Sequence, residues 1–132
     1  MTIPVGATHT EAVVVDKSNI ASAVGSGLVD VFATPMMVAL LELAAARCIE
    51  PYLDAGMVSV GTRVDVEHSG ATPLGMTVSA TATVTAVDRR RVDFAVTVAD
   101  DVGEVGKGVH SRFVVDKAKF TEKAMAKNQQ GK

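Results

Sequence analysis

A single cysteine, Cys48, stands in the 132 residues, so an internal disulfide framework and any multi-cysteine metal site are excluded. Charge of one sign is equally scarce. A formal net charge of -2 gives no electrostatic reason to expect nucleic acid. The only dense basic cluster is "DRRR" (88–91), which reads as a turn. Long apolar runs are missing too, since nothing approaches the ~18 uninterrupted apolar residues of a membrane span. The opening "MTIPVGATHTEAVVV" lacks the basic segment and longer apolar run of a secretory signal. The expectation is a cytoplasmic chain with no membrane partner.

What is present is core-forming. Hydrophobic residues make up 48% and charged residues 21%, a globular rather than disordered balance. Residues 10–16 are rich in β-branched side chains and read as a first strand, and 17–30 read as a loop. Thr34-Pro35 predicts a helix start, with threonine capping a first-turn amide and proline at the first helical position. That helix runs to at least Ile49, and Pro51 bends its last turn. Alternation then takes over in 58–68, 76–87, 91–98 and 109–115, four strands joined by short connections, as in an antiparallel meander. In the first of these, Val58, Val60, Thr62, Val64, Val66 and His68 share one face. Residues 118–132 form a short helix and a flexible tail. The chain, 1–132, is thus one α+β domain: an antiparallel sheet wrapped round one long apolar helix. Its open sheet edges favour a homodimer.

Within that helix one carboxylate stands out. The helical neighbours of Glu42 are Val38, Ala39, Ala45 and Ala46, none of which can pair with a charge. A boundary glutamate reaching water is the plain reading. The flanking alanines instead leave room for a small group beside the carboxylate. Thr34 has a plain reading as a cap, and His68 as a hydrogen-bonded core histidine. Thr34 and Glu42 are separated by ~12 Å along a regular helix, so an imidazole, a substrate or a second subunit must lie between them if they act together. No metal site is suggested, because His9, His68 and His110 have no ligand spacing.

The ordered set "VFATPMMVALLE…PYL…GTRVDVEHSGATPLGMTVSATATV", continued by "GKGVHSR" (106–112), resembles the fluoroacetyl-CoA thioesterase-like family of hotdog-fold acyl-CoA thioesterases. The resemblance implies a hotdog fold, dimerised with active sites at the interface, and possible pairing of dimers into tetramers. It implies catalytic roles for Thr34, Glu42 and His68, and places Gly61 near the thioester carbonyl. Phe32, Ala39, Ala45 and Ala46 are the expected acyl-pocket residues. No cofactor is implied beyond the coenzyme A of an acyl-CoA substrate. One departure stands out: the fluoroacetyl enzyme has phenylalanines before its Phe-Ala-Thr, whereas 23–30 here holds no aromatic residue. Hydrolysis of a short acyl-CoA is therefore expected, without strong preference for fluorine. The rival readings are a hotdog hydratase or dehydratase and a non-catalytic acyl-thioester-binding protein.

Overall fold

The computed structural model describes residues 2–131. Strand β1 (Thr8–Val14) leads through a single helical turn, α1 (Ala21–Val24), to the long helix α2 (Thr34–Ile49). A 3-10 turn at Glu50–Tyr52 follows, where Pro51 denies the helix its next amide. Strands β2 (Met57–His68), β3 (Thr77–Asp88), β4 (Arg91–Ala99) and β5 (Glu104–Asp116) complete the sheet, and α3 (Lys117–Met125) and α4 (Lys127–Gln130) end the chain. Among the described residues no helix is long and apolar enough to cross a membrane.

All strand pairs are antiparallel, in the order β1-β3-β4-β5-β2. Helix α2 lies chiefly against β3 and β1 and also reaches β2 and β4. The apolar stripe that does this is Met37, Leu40, Leu41, Ala44, Ala45, Cys48 and Ile49. Opposite it, β3 turns Val78, Ala80, Ala82 and Val84 inward, and β4 turns Val92, Phe94, Val96 and Val98. Period-2 strands thus present one continuous apolar face to a period-3.6 helix.

Three sequence expectations change here. Strands β2 and β3 are not hairpin neighbours. The segment 69–76 instead carries the chain from the β2 edge to β3 beside β1, and it is tied on the way by Phe32 N–H to Thr72 O at 2.9 Å. Alternation reports which face a residue takes, not which strand lies next to it. Strand β5 also starts at Glu104 rather than 109. Its glycines looked like turn residues but allow close approach: a Cβ on Gly106 would meet Met37 Sδ at 2.8 Å, and one on Gly108 would collide with Asp65 O. Finally, β2 does not keep its even-numbered residues on one face. The register slips between Gly61 and Arg63, so Ser59 and Gly61 oppose Val114 and Arg112, whereas Val64, Val66 and His68 oppose His110, Gly108 and Gly106. Val114, Arg112 and His110 are buried, so this bulge aims both Gly61 and His68 at the helix side.

Candidate active site

The first cluster forms at the start of α2. The cap position is Ala33, and no side chain caps the first turn, where Pro35 has no amide proton and Met36 N–H donates to Ala33 O at 3.0 Å. Thr34 is therefore not the cap that its sequence position suggests, and its hydroxyl is spent elsewhere. Thr34 Oγ1 lies 2.7 Å from His68 Nδ1. The other ring nitrogen, Nε2, is buried and has no hydrogen-bond partner among the described residues. An unsatisfied buried nitrogen is costly in a core histidine, whereas in a site it is the atom left to serve an incoming group.

The second cluster surrounds Glu42, two helical turns further along. Its cation comes from β5: Arg112 Nη1 lies 3.2 Å from Glu42 Oε2. This corrects the expectation of a carboxylate without a counter-charge. Arg112 is held in turn by Ser59, with Nε donating to Oγ at 2.8 Å and Nη2 donating to the carbonyl at 2.9 Å. His110 completes the arrangement, with Nδ1 at 2.7 Å from Arg63 O and Nε2 at 3.2 Å from Arg112 Nη1. A carbonyl only accepts and a guanidinium only donates. His110 is therefore neutral, with its proton on Nδ1. Burial pushes its pKa below the ordinary value, with the Arg112 charge acting the same way, while the bond to Arg63 O and the Glu42 charge oppose the shift. Phe94 stacks on the ring at a centroid distance of 6.0 Å. Burial also lowers Arg112, against the pull of Glu42.

Gly61 sits directly against this cluster. A Cβ there would collide with Glu42 Oε2 and come within 3.3 Å of both Arg112 Nη1 and His110 Cε1. Among the sequence-predicted residues, the structure thus joins Thr34 to His68 and Glu42 to Gly61. No hydrogen bond or ion pair among the described residues links Glu42 to Thr34 or His68. Ala39 is exposed and Ala46 half-buried, whereas Ala45 and Phe32 are packed in the core at 0% and 1% exposure. The aromatic-free segment before α2 is open, with Leu28 and Val29 both exposed. Sequence reasoning missed Ser59, His110 and Arg112. The spacing His-x-Arg within an alternating strand was the available signal, since it sets both side chains on one face. No group of three or more His, Cys, Asp or Glu side chains suited to a metal occurs among the described residues.

With this geometry in place, the relatives are informative. Residues 15–118 match the Fluoroacetyl-CoA-specific thioesterase family. The chain belongs to that family of thioester hydrolases. The Fluoroacetyl-CoA thioesterase of Streptantibioticus cattleyicolor is 43% identical over 102 residues, covering 77% of this chain and 73% of that protein. A solved structure of fluoroacetyl-CoA thioesterase superposes with a TM-score of 0.91 at 36% identity, covering 96% of this chain and 98% of the other. A variant of that enzyme has been solved in complex with fluoroacetate and CoA, and it matches at a TM-score of 0.84 and 37% identity over 89% of this chain and 98% of its own. A hot-dog-like protein from Thermanaerovibrio acidaminovorans matches at a TM-score of 0.85 and 26% identity, covering 95% and 93% of the two chains. The fold is the hotdog, as the sequence resemblance implied.

Proposed function

We propose that this chain hydrolyses a short-chain acyl-CoA to the free acid and coenzyme A, as a homodimer that needs no further cofactor. The observation that carries the reading is the 2.7 Å bond from Thr34 to His68 Nδ1, with Nε2 buried and unpartnered. Such an imidazole, held at one nitrogen and open at the other, can take up and give back a proton at Nε2. The thioester carbonyl lies beside Gly61, where the missing side chain lets the Glu42 carboxylate come up against the backbone of β2. In one route Glu42 takes a proton from water as its oxygen adds to the carbonyl carbon, the C–S bond breaks, and that proton passes through His68 to the departing thiolate. In the other the carboxylate itself adds and expels the thiolate, and water then cleaves the glutamyl anhydride, its proton passing through His68 to the thiolate. With Thr34 and His68 supplied by the second chain, negative charge on the carbonyl oxygen is favoured by the positive end of that chain's α2 dipole.

Support for the dimer is twofold. Strand β2 pairs with β5 on one side only, so twelve residues of edge remain to be covered. In addition, the Thr34–His68 pair and the Glu42 cluster lie on separate parts of one chain, and a second chain offers a way to bring them to one substrate. A short acyl group without strong preference for fluorine fits the absence of aromatic residues from 23–30 and the small side chains of Ala39 and Ala46, the two flanking alanines that are not packed in the core.

The test is thiol release from a panel of acyl-CoAs, read alongside light scattering. Release from acetyl- or propionyl-CoA, with comparable kcat/KM for fluoroacetyl-CoA and a dimeric mass, is expected. Thiol release from none of them, or hydration of an enoyl-CoA instead, would overturn the proposal.

A further inference from the structure

The hairpin joining β3 to β4 combines charge, strain and an open aromatic at one spot. Arg91 is shared between Asp88 at 3.8 Å and Asp93 at 3.5 Å, whereas Arg89 and Arg90 have no ion pair or side-chain hydrogen bond among the described residues. Glycines aside, Arg89 alone among the described residues has a positive φ, 58°. Glycine, asparagine or aspartate is the usual occupant of such a turn position, so a long cationic side chain is held there against the backbone's preference. The turn is also fixed in place, because Arg90 O accepts from Val114 N–H at 2.8 Å. Beside it Phe113 is 41% exposed. Asp88, Arg89, Arg90, Arg91 and Phe113 together line an open concavity of about 620 Å³.

Two unpaired guanidinium groups beside an exposed aromatic ring form a recognition surface for a phosphorylated nucleotide: forks for phosphate oxygens and a face for the base. The register connects this surface to the site. Arg91 opposes Phe113, and Phe113 opposes Val60, the residue before Gly61. Two strand spacings, about 10 Å, separate the hairpin from β2. Phe113 follows the inward-facing Arg112 and so belongs to the outer face of the sheet. Beyond the Val60–Phe113 pair the sheet ends at Met57 and Asp116, so a ligand whose charged end stays outside needs a long neutral arm to reach the helix side round that end, with the β2 edge left to a second chain.

We infer that Arg89, Arg90 and Phe113 bind the 3′-phospho-ADP end of the coenzyme A thioester, so that the enzyme selects CoA esters over thioesters that lack the nucleotide. The inference rests on the thioesterase reading above but has its own test. The variant Arg89→Gly/Arg90→Gln is compared with the wild type on one acyl-CoA and on the same acyl group carried by pantetheine. Glycine accepts a φ of 58° without strain, so the fold is retained and the melting temperature holds or rises. The expected result is a ratio of KM for the CoA ester to KM for the pantetheine ester raised about tenfold, with the wild-type KM for the CoA ester climbing as salt is added. An unchanged ratio overturns the inference. If the wild type releases thiol from neither ester, the thioesterase reading fails instead, and calorimetry with free CoA and with 3′,5′-ADP decides the site alone. Equal affinity of wild type and variant for both then overturns it, whereas weaker binding by the variant sustains it.

Discussion

Glu42 occupies the space that a side chain at residue 61 would fill: a Cβ on Gly61 would run into Glu42 Oε2, with Arg112 Nη1 and His110 Cε1 each 3.3 Å away. The glycine is there for what its absent side chain admits, since no positive φ requires it. Gly61→Ala should therefore displace the carboxylate, which is the freer partner at 39% side-chain exposure against 8% for Arg112. A displacement of this kind is expected to lower kcat by about 10²-fold. Overpacking should cost about 1–3 kcal/mol of stability. Steady-state kinetics beside thermal melting would check both. Wild-type kcat in Gly61→Ala would show that the carboxylate's position does not matter to the reaction.

The collision could not be read from the sequence, and the reason is specific. Helical spacing shows that Val38, Ala39, Ala45 and Ala46 surround Glu42 within α2, but it says nothing about what a strand seventy residues later brings to the same carboxylate. Arg112 reaches Glu42 only because β5 pairs with β2 and both turn one face to the helix. The helix itself, its bend at Pro51 and the alternation of β3 and β4 are local properties, and those were legible. The bulge at Thr62 depends on pairing and was not, so the even-numbered face assigned to β2 holds for Val64–His68 and fails before it. Glycines misled in the same way at Gly106 and Gly108, where tertiary contact rather than a turn excludes a side chain. The bond from Thr34 to His68 came within reach of the sequence only through the family resemblance, because each residue alone had a plain structural reading.

Thr34 offers a clean separation of catalysis from folding. Its hydroxyl bonds His68 and no amide of the helix, so Thr34→Val should leave the melting temperature nearly unchanged. A true capping threonine would cost about 1 kcal/mol on loss of its hydroxyl. Turnover, in contrast, should fall about 10²–10⁴-fold if the hydroxyl holds the catalytic imidazole. Thr34→Ser, which keeps the hydroxyl, should recover most of the rate. A melting loss without a rate loss would return Thr34 to a structural role.

His110 predicts a stability change with pH. Its folded pKa is depressed from 6.5, first by burial and then by the Arg112 charge, against the bond to Arg63 O and the Glu42 charge. Above the ordinary value both folded and unfolded states are neutral, and the contribution is fully present. As pH falls below it, the unfolded chain takes up a proton that the folded chain refuses, so stability declines until the depressed folded value is passed. The groups facing the ring are Arg112 on its own strand, Glu42 from α2, Arg63 O from β2 and Phe94 from β4. Glu11, Asp16 and Asp100 have lowered carboxyl values, so their losses come at lower pH, below about 5. Melting between about pH 7 and pH 5 should therefore slope downward in the wild type. His110→Gln, whose amide can replace both hydrogen bonds without titrating, should flatten that slope. An unchanged slope would assign it to another group.

The decisive variant is Glu42→Gln. Read from the helix alone, Glu42 is a carboxylate with no cation, and its removal should stabilise the fold. Arg112 reverses that sign. The guanidinium is nearly buried, keeps Ser59 and His110 as partners, and would lose the only carboxylate paired with it among the described residues. The glutamine oxygen can still accept from Nη1, so the geometry is kept and the loss stays near 1 kcal/mol, the scale of a weakened charge-assisted bond. Turnover should fall far more, about 10²–10⁴-fold, if the carboxylate activates water or attacks the thioester itself. Glu50→Gln provides the control, because Glu50 is exposed at the end of the same helix and should change neither quantity. Thiol release and thermal melting on the two variants read both effects at once. Full activity in Glu42→Gln together with a large melting loss would make the Glu42–Arg112 pair a structural tie between helix and sheet, and the reaction would then have to be built on Thr34 and His68 alone.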